Sequence, residues 1–329
     1  MSDAQLLKLR FCDLGVSIEG SVLERRISIL HQELDQRGIR FKPHCWLSSE
    51  WFAPEDVPGI AIPFYLADPR LRQLEKRQVY EVEGGSQEWC MKLLRHEAGH
   101  ALDTAYQLYR KKQYRQTFGR ASLPYPEHYT PRPNSRSFVL HLDLWYAQAH
   151  PVEDFAETFA VWLRYPKRWK VRYRGWKALA KLESVDQMMN EIAGRKALVT
   201  SRAKVDPISR LGMTLEEHYE KKRQRFGLID KAFYDAELRR LFRTDDDKGG
   251  VPAAAFLRRK RVQLRSIIAR WTGEYPYTID QILQQMIERS KALELRAVGE
   301  DEELFREALT MLSVQVTSNV LAGRRKIPI

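Results

Sequence analysis

Cysteine is scarce in this chain. Cys12, Cys45 and Cys90 are odd in number, far apart and never in a C-x-x-C pair, which excludes both a disulfide framework and a zinc ribbon. Any metal site must therefore be built from histidine and carboxylates. No window approaches the ~18 uninterrupted apolar residues that would suggest a membrane span. The opening MSDAQLLKLRFCDLG lacks the basic, apolar, then small-residue order of a secretory leader, so a cytoplasmic protein without a membrane partner is expected. The G-x-x-x-x-G-K loop and the dinucleotide fingerprint are also missing, which argues against nucleotide cofactors. There is no internal repeat and no low-complexity block.

The 329 residues are 43% hydrophobic and include 8 Trp, enough for one large core or two ordinary ones. The net charge of +12 is spread along the whole chain rather than gathered into a basic tail. A diffuse excess favours solubility and weak anion attraction over a dedicated nucleic-acid surface. YPKRWKVRYRGWK, Tyr165 to Lys177, interleaves basic and aromatic residues and could bind nucleic acid, but reads more simply as a helix with buried rings and a solvated charged face.

Ser21 with Glu24 forms a capping box that opens an amphipathic helix through Leu23, Ile27, Leu30 and Leu34, ending at Arg37-Gly38. Strands are expected at 39–47 and 59–67. Pro63 would place the second at a sheet edge, where an extended peptide could add. A long helix is expected over 87–114, then a Pro-rich surface loop, LPYPEHYTPRPNSRS, suited to substrate selection. Pro151 at a first helical position, with Glu153 and Asp154 complementing the dipole, starts a helix that runs to about Arg164. Helical pattern resumes over 168–192, 201–209 reads as a linker, and 215–321 is mostly helical with breaks at 245–250 and 272–278. The fold class is accordingly α+β, with a first domain over 1–200 and a helical extension over 201–329 whose role the sequence leaves open.

Within the long helix stands HEAGH. Its histidines, His96 and His100, are four residues apart, so a helix stacks both imidazoles within reach of one ion. Glu97 follows the first histidine directly, where its carboxylate can take a proton from activated water. A zinc site of this class needs a third protein ligand and an open fourth position. Asp103 and Tyr106 occupy the positions where extended motifs carry Gly and a final ligand, so the third ligand comes from elsewhere. HPVEDFAETFAVWL offers Glu157, opposite the stripe of Phe155 and Phe159 and flanked by the small Ala160 and Val161. The same pattern also fits a solvent-facing glutamate; should Glu157 not be the ligand, Glu153, Asp154 and Asp103 are the alternatives.

HEAGHALD followed by EDFAETFA resembles the gluzincin class of metallopeptidases and, more narrowly, a bacterial family of zinc-binding metallopeptidases, over about Leu9 to Asn190. The resemblance implies a zincin-like catalytic domain, zinc held by His96, His100 and Glu157, and Glu97 as general base. It also implies hydrolysis of peptide bonds in a peptide or protein substrate. Some relatives carry N-terminal cysteine pairs, which this chain lacks. For the oxyanion, His150 is the first candidate donor and Tyr146 the second; His150 also suits a helix cap, and Asp103 could orient a ligand imidazole. Two other readings share these residues: a zincin fold kept for protein or nucleic-acid binding without catalysis, and a zinc amidase acting on a small peptide-like substrate. Oligomeric state is not legible.

Overall fold

The computed structural model describes residues 1–79, 81–126, 128–129, 132, 135–224, 234–244, 249–319 and 327–328. It divides into two compact units: 1–76 with 82–216 and 327–329, and 77–81 with 217–326. The first unit thus runs beyond residue 200. The segment read as a linker is bonded along a strand, with the Val205 carbonyl accepting from Trp46 Nε1 at 2.8 Å and the Asp206 carbonyl from Ser48 Oγ at 2.6 Å.

The first unit is α+β, with many helices and little sheet. Strand β1, His44–Ser48, pairs in parallel with β2, Gly59–Pro63. Both are shorter than the apolar runs suggested: β1 begins only at His44, and β2 ends where the chain turns into a 3-10 segment, Phe64–Ala67, directly after Pro63. β2 is wholly buried, and its second side is engaged at Ala61, whose N–H donates to Phe52 O at 2.8 Å. The edge inferred from Pro63 is therefore partly covered.

Helix Val22–Gln36 starts at Ser21, whose Oγ accepts from Leu23 N, while Glu24 takes the Gly20 N–H. Its Glu33 meets Arg95 in a two-pronged pair at 2.7 and 2.8 Å, which holds the HEAGH helix against it. That second helix, Gln87–Tyr106, is capped by Ser86, which accepts from Trp89 N at 3.1 Å. It stops before Tyr114 because Gln107 turns left-handed at φ 52° and Asp103 accepts from Tyr109 N at 2.8 Å; a separate short helix, Lys112–Thr117, follows. Helix Pro151–Arg164 has the bounds expected from sequence. The stretch 168–192 divides into Trp169–Arg172 and Ala178–Ile192 around Gly175 at φ 79°. There Trp169 and Tyr173 are buried and the neighbouring Arg and Lys exposed, so the rings belong to the core.

The second unit is helical. Ala253–Thr272 and Pro276–Ala292 form a hairpin through Gly273, left-handed at φ 67°, and Asp301–Asn319 packs on it. Leu264, Ile268, Leu283, Met286 and Leu312 share its core. Asp280, fully buried, accepts from Arg261 Nε at 2.8 Å and Arg265 Nη1 at 2.7 Å. The break expected at 245–250 lies largely outside the described residues, as do 127, 130, 131, 133 and 134 of the Pro-rich loop.

Candidate metal centre

The site lies where Gln87–Tyr106 packs on Pro151–Arg164. Their close approach depends on Gly99, inside HEAGH: a Cβ there would stand 2.9 Å from Ala156 Cα and 3.2 Å from the Phe159 ring. Ala156 and Ala160 supply small surfaces on the other side, and nearly every residue from Glu153 to Leu163 is buried. Neighbours cover this helix on all sides, so its polar face is as interior as its apolar stripe.

His96 Nε2 and His100 Nε2 face one another at 3.0 Å, and Glu153 Oε2 lies 3.0 Å from the first and 3.3 Å from the second. Among the described residues these three form the group able to hold a metal ion. The triangle has the right size. With zinc–ligand distances of 2.0–2.2 Å, the edge of a tetrahedron is about 3.3 Å. Glu153 Oε2 is buried and receives no hydrogen bond of ordinary geometry. If His96 gives its Nδ1–H to Glu157, its Nε2 presents a lone pair, and three lone-pair atoms converge on one point. Such a cluster is repulsive and costly to bury unless a cation sits among them.

Glu157 Oε1 is 2.9 Å from His96 Nδ1, and its Oε2 accepts from Leu142 N at 2.9 Å. Glu157 is thus on the far side of the ring from the converging atoms. The carboxylate found at that point is Glu153, one turn before the Glu157 expected there. Asp154 is turned away to Lys181 Nζ at 2.6 Å, and Asp103 to Tyr109 N. Neither reaches the two Nε2 atoms, and Asp103 secures the helix end rather than an imidazole.

The electrostatics suit a cation site. Burial pushes the His96 pKa down, but Glu153 and Glu157 on its two nitrogens outweigh this and hold it well above its usual value. Burial alone would raise the Glu153 carboxyl; His100 and His96 outweigh it and hold it well below the usual range. Both carboxylates thus favour a positive charge at this cluster. Glu97 is buried beside it, and desolvation pushes its carboxyl above the usual range against the pull of His96 and His100.

His150 stands elsewhere than expected. It caps helix Pro151–Arg164, with Nδ1 accepting from Val152 N at 3.3 Å and Nε2 bonded to Leu123 O at 3.0 Å. With both nitrogens engaged it has no hydrogen left for an oxyanion. Tyr146, the second candidate, has its ring centroid 5.6 Å from that of His96. Burial, then the charges of Glu153 and Glu97, push its hydroxyl far up, so it is a persistent donor beside both carboxylates.

The sequence offers Glu153 to the helix dipole and only as an alternative ligand, and gives Tyr125 no role; the structure puts Tyr125 Oη 2.9 Å from Glu153 Oε1. For Glu153 a signal existed, since E-x-x-x-E places both carboxylates on one helix face, though not which of them faces the histidines.

Two histidines one turn apart and a carboxylate from a second helix form a group that could hold a metal ion, with the ligand types that zinc takes. Residues 66–200 match the model of a family described as "putative zinc-binding metallo-peptidase", the family that HEAGH and EDFAETFA resemble. Neither a curated protein nor a solved structure matches the chain.

Proposed function

We propose that this protein is a zinc-dependent peptidase in which His96, His100 and Glu153 hold the metal and Glu97 is the general base. The observation that carries the reading is the convergence of both Nε2 atoms on the buried Glu153 Oε2, which receives no hydrogen bond of ordinary geometry. The packing of the HEAGH helix on both the EDFAE helix and β2 supports a zincin-like first unit.

Zinc at such a site supplies Lewis acidity to the scissile carbonyl and acidifies water. The chain's own residues do the rest. Glu157 accepts the His96 Nδ1–H, fixing the tautomer that turns Nε2 to the site. Glu97, its carboxyl made more basic by burial, takes a proton from the attacking water and returns it to the leaving amine. Tyr146, rather than His150, offers a hydroxyl to the oxygen that becomes negative.

Glu97→Gln should keep zinc while lowering peptide hydrolysis by ~10²–10⁴-fold, the usual worth of a general base. Zinc content and turnover of a quenched peptide library, measured on the same preparation, test this. Undiminished hydrolysis would remove Glu97 from the mechanism.

A further inference from the structure

Tyr125 belongs to the Pro-rich segment between the two site helices, and two contacts tie it to the start of the second. Its hydroxyl donates to Glu153 Oε1 at 2.9 Å. Its ring stacks on His150, with centroids 4.0 Å apart and planes 20° from parallel. That imidazole is itself fixed at both nitrogens: Nδ1 accepts the Val152 N–H at the start of the helix bearing Glu153, and Nε2 donates to Leu123 O, two residues before Tyr125. His150 and Glu153 are each 5% exposed, whereas Tyr125 is 44% exposed, so the carboxylate is shielded from water and the tyrosine reaches it from the rim of the site.

A carboxylate can turn and offer either oxygen, or both. Here one is occupied: with Oε1 held by Tyr125, Glu153 turns Oε2 alone toward His96 and His100. A hydroxyl bonded to an ionised carboxylate is a strong, short-range restraint. We propose that Tyr125 is a positioning residue of the metal site, fixing which oxygen of Glu153 is presented, and that His150 acts through it by holding the Tyr125 ring. This rests on the reading of Glu153 as a ligand. It explains why a residue with two ring nitrogens caps this helix where serine or aspartate would cap it as well.

The test compares Tyr125→Phe, His150→Asn, the double variant and Glu153→Ala in the full chain. Tyr125→Phe keeps the ring and removes only the hydroxyl; His150→Asn keeps a capping oxygen and removes the stacking ring. Zinc dissociation constants are read by competition with a chelating dye, and the cobalt-loaded proteins by visible absorption. Tyr125→Phe should weaken zinc binding by ~10–100-fold, the range for partners that orient a ligand. It should also lower the cobalt absorption, as expected when Glu153 can offer a second oxygen and coordination rises above four. His150→Asn should weaken zinc in the wild-type background and add little on Tyr125→Phe, because both act through one bond.

Wild-type zinc affinity and cobalt spectrum in Tyr125→Phe would overturn the proposal, and additive losses in the double variant would overturn the part given to His150. Glu153→Ala separates this from the underlying reading. If it loses zinc while Tyr125→Phe does not, the positioning role alone fails; if it keeps zinc, the ligand assignment fails with it. Thermal midpoints of the chelated proteins within a degree or two of wild type show that each variant is folded, and a Tyr125→Phe loss of zinc accompanied by a collapsed midpoint counts against a positioning role.

Discussion

Glu153 and Glu157 sit one helical turn apart and address opposite nitrogens of His96: Oε2 of the first faces Nε2, and Oε1 of the second holds Nδ1. Their removal should therefore have unequal effects. Glu157→Ala should weaken zinc by ~10–100-fold, since it frees the ring without deleting a ligand, and Glu153→Ala should weaken it far more. Dye competition on the two variants checks this, and the reverse order would restore Glu157 as the third ligand. A second residue-scale consequence concerns His141, whose Nε2 is bonded to Lys92 O at 2.9 Å. Burial pushes it down to about 4, against about 6.5 in an unfolded chain. Between those values the unfolded chain binds a proton that the folded one refuses, so stability is full above about 6.5 and is lost as pH falls toward 4, by about 3 kcal/mol in all. Urea midpoints of chelated wild type and His141→Gln at pH 7.5 and 5 should show a smaller decline in the variant. Equal declines would mean that His141 charges freely in the fold.

At the scale of elements, the centre exists because two helices come close enough for side chains of both to meet, and Gly99 permits it. Helix propensity favours Ala over Gly by roughly 0.8–1 kcal/mol, whereas a Cβ forced against the Ala156 backbone costs about 1–3 kcal/mol as overpacking does elsewhere. The clash should win, because the obstructing atom is backbone and a helix must shift to relieve it. Gly99→Ala is expected to lower the urea midpoint and weaken zinc together; a more stable variant with normal zinc would show that the helices have slack. The helices themselves were legible. Ser21 and Pro151 mark true starts, and the i, i+4 histidines needed only a helix to bring them together. The choice between Glu153 and Glu157 was not legible, because helix periodicity reports a face, and selecting one turn on that face requires the axial offset of the partner helix. Gln107 ended the HEAGH helix early without warning, since a left-handed residue that is not glycine carries little sequence signal. His150 was misread for a related reason. Its spacing from Glu157 fits a catalytic donor as well as a cap, and only the Leu123 carbonyl and the Tyr125 ring show where both nitrogens go.

For the whole molecule, the extended run 201–209 looked like a linker by composition, but its carbonyls serve Trp46 and Ser48, which places it in the first unit. Tertiary hydrogen bonds of that kind leave no pattern in sequence. Apart from 77–81, the family match over 66–200 lies inside that unit, and no helix among the described residues is long and apolar enough to cross a membrane. A metal that binds only the folded state stabilises it by mass action, by roughly 4 kcal/mol at a thousandfold excess over the dissociation constant. Excess zinc should accordingly raise the thermal midpoint of the wild type and leave that of Glu153→Ala unchanged; an equal rise in both would assign the effect to another site.

The central claim is tested most directly by elemental analysis of extensively dialysed wild type beside His96→Ala and Glu153→Ala. The account predicts about one zinc per chain in the wild type and loss of it in both variants. A wild type that takes up no zinc even when it is supplied, or a Glu153→Ala chain that retains its full complement, would contradict it.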